Sequence, residues 1–310
     1  MGRYHIGDDA LRLDRVRRAA LTFLIAALPT FFACDNPGAS KTTADATHSS
    51  RIVALAPNLA ELVFAAGAGD TLVGVSAYSD YPPAIEALPL VGDAFTIDQE
   101  RLAMLQPDLL LAWESGTPAH VVGELRNAGY EVEIVRTRSL DDIAAALVRI
   151  GTLAGTPQQA REVAAEFSAA LQELGDAYAD AEPIRVFYQV SSRPLYTVGR
   201  EHFASELIAL CGGTNVFADL GELAPAIDVE AVIDRDPEVM LASDDAGNNA
   251  FNEWERWPAI AANRYGNRYL LPADELSRPT TRVLVAAVAI CEALQSARIR
   301  RDDNGATTDG

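Results

Sequence analysis

The sequence predicts an α/β fold with two Rossmann-like lobes, joined by a single long backbone helix, and a ligand cleft between the lobes. Three observations lead to this prediction. Short apolar runs alternate with amphipathic stretches from residue 51 onward, a motif recurs after 130 positions, and one long helical pattern separates its two copies. Alternation of strands and helices is typical of a largely parallel sheet covered by helices.

The first part of the folded region is predicted to contain four strands separated by helices. The predicted strands are residues 51–55, 72–75, 109–112 and 132–135. The predicted helices are residues 59–66, 99–105 and 120–128. We expect this N-terminal lobe to span residues 51–155.

A long helix is predicted from residue 156 to about residue 181, because its apolar side chains recur every three or four positions. Pro157 stands at its start, where proline is tolerated. We assign residues 156–182 to this connecting helix.

The strand–helix pattern then restarts. Strands are predicted at residues 184–188, 239–242 and 268–271, and a last helix at about 280–297. The C-terminal lobe is expected to span residues 183–297, followed by a disordered tail at 298–310.

An internal repeat supports two related lobes. Residues 97–112 read IDQERLAMLQPDLLLA and residues 227–242 read IDVEAVIDRDPEVMLA, with six of sixteen positions identical. Each copy predicts a helix with acidic residues at its start, a proline that ends it, and a buried strand. Glu100 and Glu230 occupy the same position of the two copies.

The N-terminal residues indicate export. A basic patch at residues 12–18 precedes an apolar run at 19–32, which is shorter than the ~20 residues of a membrane span. We therefore interpret residues 1–33 as a signal peptide. The run ends in Phe-Phe-Ala-Cys, which resembles a lipobox and makes Cys34 a candidate for lipidation, with residues 34–50 as a flexible tether. Cleavage by the ordinary signal peptidase is the alternative.

The sequence also limits the function. With a formal net charge of −19, the chain is a poor match for nucleic acid. Only His120 and His202 fall within the predicted lobes, and no G-x-S-x-G, Walker A or H-E-x-x-H motif is present. The missing motifs argue against catalytic residues, a metal site and a cofactor. The export signal predicts a periplasmic or extracytoplasmic location, and we expect a monomeric carrier. After Cys34, the remaining Cys211 and Cys291 are expected to form a disulfide in an oxidising compartment, or else to be buried thiols.

Aromatic residues follow two of the predicted strands. Tyr78 and Tyr81 come after strand 72–75, and Trp113 directly follows strand 109–112. Ligands bind beyond the carboxyl ends of parallel strands, and an aromatic ring there offers a flat apolar surface. The alternative for Trp113 is a place in the core of the lobe.

Asp274 and Arg278 follow strand 268–271. An aspartate accepts from amide N–H groups and an arginine donates to carbonyls, so the two suit a ligand that carries amides. Spaced four residues apart, they are equally suited to pairing with each other or capping the next helix.

These features resemble a known family, the periplasmic cobalamin (vitamin B12)-binding proteins of ABC importers, which have a rigid helical backbone between two lobes. The similarity covers roughly residues 51–294. It is carried by SAYSDYPP at 76–83, by QPDLLLAW at 106–113, by CGGTNVF at 211–217, and by the helix at 282–294.

The resemblance implies non-covalent capture of cobalamin or a related corrinoid between the lobes, and its delivery to a membrane permease. Tyr196 keeps an aromatic residue where the family has one. The positions that match ligand contacts are Tyr78, Trp113, Tyr196, Asp274 and Arg278. Glu100 and Glu230 match the glutamates that dock onto the permease. Cys211 and Cys291 match the family disulfide.

Two departures bear on the ligand. Ala224 stands where the family often has a tryptophan from the second lobe, and a further family tryptophan falls at Ala94–Phe95. The alternative ligands are a corrinoid precursor, a ferric siderophore or haem. An anionic siderophore would need basic residues, for which Arg193, Arg200 and Arg278 are the candidates. An α/β hydrolase-like enzyme is the remaining hypothesis, and it lacks a nucleophile motif.

Overall fold

The computed structural model describes residues 51–306. The predictions for the signal peptide at 1–33, Cys34 and the tether at 34–50 lie outside these residues, as do residues 307–310.

The first sheet is parallel throughout and has the strand order β2-β1-β3-β4. Its strands are β1 (Ile52–Ala54), β2 (Leu72–Val75), β3 (Leu109–Trp113) and β4 (Val132–Val135). The helices of this part are α1 (Pro57–Ala65), α2 (Gln99–Leu105), α3 (Ala119–Asn127) and α4 (Leu140–Leu153). Since helices cover both faces, the central strands are continuous apolar runs.

Helix α4 was not assigned from the sequence, although it carries a strong start signal. The side chain of Ser139 accepts from the Asp142 backbone N–H, and the Asp142 side chain accepts from the Ser139 N–H. This capping box satisfies two backbone donors that a helix start otherwise leaves unpaired.

Helix α5 (Pro157–Ala177) has 21 residues, so it is about 31 Å long. Ala160, Ala164, Phe167 and Leu171 are its buried positions, and their spacing of three or four residues forms one apolar face. The helix ends before the predicted Ala181.

The second sheet repeats the first. Its order β10-β9-β5-β8, with every pair parallel, is that of the first sheet when β5 is matched to β1 and β9 to β3. The strands after α5 are β5 (Ile184–Gln189), β6 (Ser191–Ser192), β7 (Leu195–Tyr196), β8 (Gly213–Asn215), β9 (Val239–Ser243) and β10 (Arg268–Leu271), of which β6 and β7 form a separate hairpin. The helices are α6 (Phe203–Leu210), α7 (Val229–Arg235), α8 (Ala261–Arg264), α9 (Ala273–Ser277) and α10 (Val283–Ala306). Short 3₁₀ helices lie at Gly69–Thr71, Pro83–Ala87, Asp244–Asn249 and Asn252–Arg256.

The sequence repeat corresponds to a structural repeat. Asp98 caps α2 by accepting from the Arg101 N–H at 2.9 Å, and Asp228 caps α7 by accepting from the Ala231 N–H at 2.8 Å. Both helices end in a left-handed residue, Gln106 or Asp236, with φ of 44° and 41°.

The two central strands also begin in the same way. The backbone N–H of Arg51 donates to Asp108 at 2.7 Å, and that of Arg185 donates to Glu238 at 3.0 Å. Each arginine side chain also donates to a carbonyl at the end of the helix before β3 or β9. The helix–strand unit therefore has the same local design in both lobes.

The predicted disordered tail at 298–310 is wrong for the residues up to Ala306, because α10 continues to Ala306. Arg298 is buried, and it donates to the carbonyl oxygens of Glu182 and Cys211, both at 2.7 Å. This anchoring extends a helix whose last residues have a polar composition.

One hydrophobic core is shared by both lobes. It contains buried residues of α1, α4, α5, α6 and α10 together with one face of each sheet. Two smaller clusters cover the outer face of the first sheet and of the second sheet. The Cys211–Cys291 disulfide, with a Cα–Cα distance of 4.8 Å, joins the end of α6 to α10 and confirms the predicted pairing. Within residues 51–306, no helix combines the length and apolarity needed to cross a membrane.

Candidate functional site

The carboxyl-terminal edges of the two sheets face each other. Asp80, in the loop after β2, is paired with Arg278, which follows β10 and α9. On the loop after β4, Arg138 lies 3.7 Å from Glu201, and the Leu140 backbone N–H donates to Glu206 of α6 at 2.9 Å. The cleft between the lobes is therefore lined by the loops at which parallel α/β sheets bind ligands.

An apolar cavity of about 360 Å³ lies at this edge of the first sheet. Its wall is formed by the ends of β1, β2 and β3 and by the loop that precedes α2. The lining residues are Leu55, Ala56, Pro57, Ser76, Ala77, Tyr78, Asp93, Ala94, Phe95, Trp113 and Gly116. The structure thus brings Tyr78 and Trp113 to one concave surface, as expected from their places at the carboxyl ends of β2 and β3.

Tyr78 combines backbone strain with exposure. Its φ of 66° lies in the left-handed region, which a bulky residue rarely adopts, and its side chain is 83% exposed. Neither feature stabilises the fold. Strained, exposed aromatic residues at a cleft are typical of binding surfaces.

Trp113 is half-buried and held in a defined orientation. Its indole Nε1–H donates to the hydroxyl of the buried Thr137 at 2.9 Å. Gly116 lies against the six-membered ring, where an added Cβ would be 2.3 Å from Cε3. Trp113 packs against the shared core, and it also lines the cavity.

Phe95 is a further candidate residue, which the sequence analysis named only as the place of a family tryptophan and did not select for the site. It is 73% exposed, and it lines the cavity next to Ala94. Asp93 fixes its loop by accepting from the backbone N–H groups of Phe95 and Thr96 at 2.9 and 2.8 Å. An aspartate that follows Gly92 is a local signal for such a turn, and the turn exposes the residue two positions later.

A charge cluster joins the lobes beside this cavity. Glu61 of α1, whose side chain is 4% exposed, accepts from Arg278 at 3.1 Å, from Arg282 at 3.2 Å and from the Thr280 hydroxyl at 3.1 Å. Arg282 is also paired with Glu275. A charged residue on the buried face of α1 is the sequence signal for this cluster, which the sequence analysis missed.

Arg278 has two further carboxylate partners. It forms two hydrogen bonds to Asp80, of 2.5 and 3.3 Å, and lies 3.3 Å from Asp274. The hydrogen bond from Arg278 lowers the pKa of Asp80 below its ordinary value and raises that of the guanidinium. Asp274 and Arg278 therefore pair with each other, as the alternative in the sequence analysis stated, and they do so at the cleft.

The charges of this cluster do not cancel. The carboxylates of Glu61, Asp80, Asp274 and Glu275 outnumber the guanidinium groups of Arg278 and Arg282, so its formal charge is −2 when every group is ionised. Coulomb repulsion makes this end of the cleft unfavourable for an anionic group.

Tyr81 has a structural partner. The guanidinium of Arg282 lies 4.1 Å from its ring centroid, which is the geometry of a cation–π contact. Tyr81 therefore packs between the lobes.

The second lobe contributes less aromatic surface. Tyr196 lies in the β6–β7 hairpin after β5, where it is half-buried and its carbonyl accepts from the Val190 N–H at 2.9 Å. It does not line the cavity of the first lobe. Ala224 is exposed on the neighbouring segment, whose Ala226 pairs with Tyr196.

Glu100 and Glu230 are exposed in the first turns of α2 and α7. In a helix–strand unit the start of the helix lies near the carboxyl edge of the sheet. Both glutamates are therefore on the cleft side of their lobes, in equivalent positions.

The two histidines in the lobes do not form a site. Among residues 51–306, no three His, Cys, Asp or Glu side chains are placed to hold a metal ion. His202 caps α6, its Nδ1 accepting from the Ala204 N–H at 3.1 Å, and burial lowers its pKa to about 4.

A profile of the periplasmic binding protein family matches residues 52–275. This chain belongs to that family. It is 38% identical to the vitamin B12-binding protein of Vibrio cholerae over 251 aligned residues, and this alignment covers 81% of this chain and 91% of that protein. The vitamin B12-binding protein of Yersinia pestis is 34% identical over 260 residues, covering 82% and 89%.

Solved structures of periplasmic binding proteins are also similar to this chain. The crystal structure of the periplasmic vitamin B12-binding protein of Vibrio cholerae matches with a TM-score of 0.73 and 36% identity, covering 81% of this chain and 98% of that one. The periplasmic haem-binding protein of the same organism has a TM-score of 0.67 at 22% identity, covering 79% and 99%, and shares the fold. The family confirms the predicted two-lobed fold, and it places the protein among periplasmic carriers of transport systems rather than enzymes.

Proposed function

We propose that this periplasmic binding protein captures cobalamin or a related corrinoid and delivers it to the permease of an ABC importer. The observation that carries the proposal is the cleft-facing cavity with three aromatic rings, in a chain 38% identical to a vitamin B12-binding protein. Binding is non-covalent and involves no chemical step.

The first lobe supplies the apolar part of the site. The rings of Tyr78, Phe95 and Trp113 form a surface against which a large planar macrocycle packs. Trp113 is pre-oriented by Thr137, so little conformational entropy is lost when the ligand binds.

Polar contacts come from the charge cluster. A corrinoid carries amide side chains, for which Asp274 is an acceptor and Arg278 a donor. By the resemblance to the family, we propose Tyr196 as the aromatic contact from the second lobe. Because Ala224 adds no aromatic area there, a corrinoid without a bulky lower ligand is an equally suitable cargo.

Charge favours a corrinoid over an anionic cargo. Haem propionates and ferric siderophores would bring negative charge to a cluster of formal charge −2.

The test is calorimetric titration of the purified protein with cyanocobalamin, cobinamide, haem and a ferric siderophore. We expect one-to-one binding of at least one corrinoid and weaker binding of the two anionic ligands. No heat with either corrinoid would refute the proposal. Tight binding of haem alone would identify haem, instead of a corrinoid, as the cargo.

Delivery to the permease is proposed to use Glu100 and Glu230. Two equivalent acidic residues, one on each lobe, suit a two-fold symmetric partner with basic residues. The double variant Glu100→Ala/Glu230→Ala should bind cyanocobalamin like the wild type and fail to support its uptake by cells. Normal uptake would reject this role.

We also propose that residues 1–33 direct export, that Cys34 carries a lipid, and that the N-terminal lobe spans residues 51–155 up to the connecting helix. Mass spectrometry of the mature N-terminus tests the modification, with Cys34→Ser as the control. A mature chain that starts elsewhere and has no lipid would contradict it.

A further inference from the structure

Arg278 is held by carboxylates of two kinds. Glu61 and Asp80 both belong to the first lobe, but the Glu61 side chain is 4% exposed whereas that of Asp80 is 58% exposed. Asp80 occupies an N–H of each terminal nitrogen of the guanidinium, at 2.5 and 3.3 Å. Among the carboxylate partners of Arg278, Glu61 and Asp80 therefore differ sharply in their access to water.

Glu61 is a permanent partner. It also accepts from Arg282 and from the buried Thr280, so releasing it from Arg278 would leave a buried carboxylate with fewer donors. Asp80 makes its side-chain contacts with the cluster only through Arg278, and water can hydrate it as soon as it leaves.

Asp80 lies two residues after Tyr78, which lines the aromatic cavity. A ligand on the Tyr78 ring that directs a carbonyl oxygen toward Arg278 competes with Asp80 for the same N–H groups. A neutral carbonyl forms a weaker hydrogen bond to a guanidinium than a carboxylate does. The exchange therefore has a cost, which lowers the affinity for the ligand.

We infer that Asp80 is the exchangeable partner of Arg278: it holds the guanidinium in the empty cleft, gives it up to the ligand, and thereby sets the affinity. This inference rests on the proposed function, because the ligand must reach Arg278. It assigns Asp80 a positioning role and leaves direct contact with the ligand to Arg278.

The test uses the purified full-length protein, cyanocobalamin as the probe, and Asp80→Asn, which keeps the shape of the side chain and removes its charge. We expect the Kd to fall by about three- to tenfold, because the energy of the Asp80–Arg278 contact lies between that of an exposed ion pair and that of a buried hydrogen bond to a charged group. Asp70→Asn is the matched control, because Asp70 is an exposed aspartate of the same lobe that precedes β2, at the opposite edge of the sheet. Its Kd should stay within twofold of the wild type.

A second comparison separates a specific exchange from a general effect of charge. In an Arg278→Gln background that circular dichroism shows to be folded, Asp80→Asn should leave the Kd unchanged. An equal gain in both backgrounds overturns the inference. Should Arg278→Gln not fold, the comparison of Asp80→Asn with Asp70→Asn decides.

The two proposals fail in distinguishable ways. A wild-type protein that binds no corrinoid refutes the proposed function and the inference with it. A wild-type protein that binds cyanocobalamin, with Asp80→Asn unchanged or weaker, refutes the inference alone.

Discussion

Glu61 connects α1 of the first lobe to two arginines of the second, and Glu61→Gln tests how much this junction contributes to stability. Its carboxylate accepts from Arg278, Arg282 and Thr280, and it is almost fully buried. Glutamine has the same size, but it removes the charge and turns one acceptor into an N–H₂ group that faces donors.

The magnitude follows from these contacts. Removing one partner of a buried ion pair costs about 3–5 kcal/mol. Arg278 keeps Asp80 and Asp274, and Arg282 keeps Glu275, so we expect a smaller loss of about 2–4 kcal/mol. For a domain of this size, each kcal/mol shifts Tm by roughly 2–4 °C, so the expected decrease is about 4–16 °C.

Thermal unfolding followed by circular dichroism measures this shift. The matched control is Glu133→Gln, which breaks a two-hydrogen-bond pair with Arg149 on the surface of the first lobe. The Tm of this control should stay close to the wild-type value, because water replaces the lost contact. Equal shifts for the two variants would contradict the prediction and show that the cluster contributes no more than a surface pair.

Three further predictions concern stability. Replacing Cys211 and Cys291 together by alanine should destabilise the protein by about 2–5 kcal/mol, since the disulfide closes a loop of sequence separation 80. Unfolding in urea measures this loss, and an unchanged urea midpoint would contradict the prediction. Stability should decline as pH falls from about 6.5 toward about 4, because buried His202 stays neutral in the folded state and binds a proton when unfolded. The variant His202→Asn, which keeps an N-cap, should show a smaller decline. The same pH dependence of stability in the variant and the wild type would contradict this prediction. Burial raises the pKa of Glu206 above its ordinary value of 4.5, so ionisation of this carboxylate lowers stability as pH rises. The variant Glu206→Gln should therefore have a higher Tm than the wild type at pH 8 and lose that advantage at pH 4. An equal difference in Tm at both pH values would refute this prediction.

The sequence predicts the architecture because the fold repeats itself. Strands Leu72–Val75 and Arg268–Leu271 have the predicted bounds, as does helix Gln99–Leu105. The repeat then places Glu100 and Glu230 in matching first turns. Elements with weaker patterns are missed. Strand β8 (Gly213–Asn215) is short and contains two polar residues, so it has no apolar periodicity of its own and is defined by its pairing with β5.

The candidate site is predictable only in part. Tyr78 and Trp113 follow apolar strands, so the topology brings them to one edge. The pairing of Arg278 with Asp80 joins residues 198 positions apart, and no local pattern couples them. Local spacing instead indicates the Asp274–Arg278 pair, which the structure contains as one contact of a larger cluster.

The central claim is that the cleft-facing aromatic cavity binds the cargo, and calorimetry of Trp113→Ala with cyanocobalamin tests it most directly. The control is Trp257→Ala, because Trp257 is 40% exposed and lies beside Asp236 at the amino-terminal edge of the second sheet. Loss of the ring should weaken binding by at least ~1 kcal/mol, about fivefold in Kd, while the control keeps the wild-type Kd. Wild-type affinity in a folded Trp113→Ala protein would contradict the claim and make Trp113 a residue of the core.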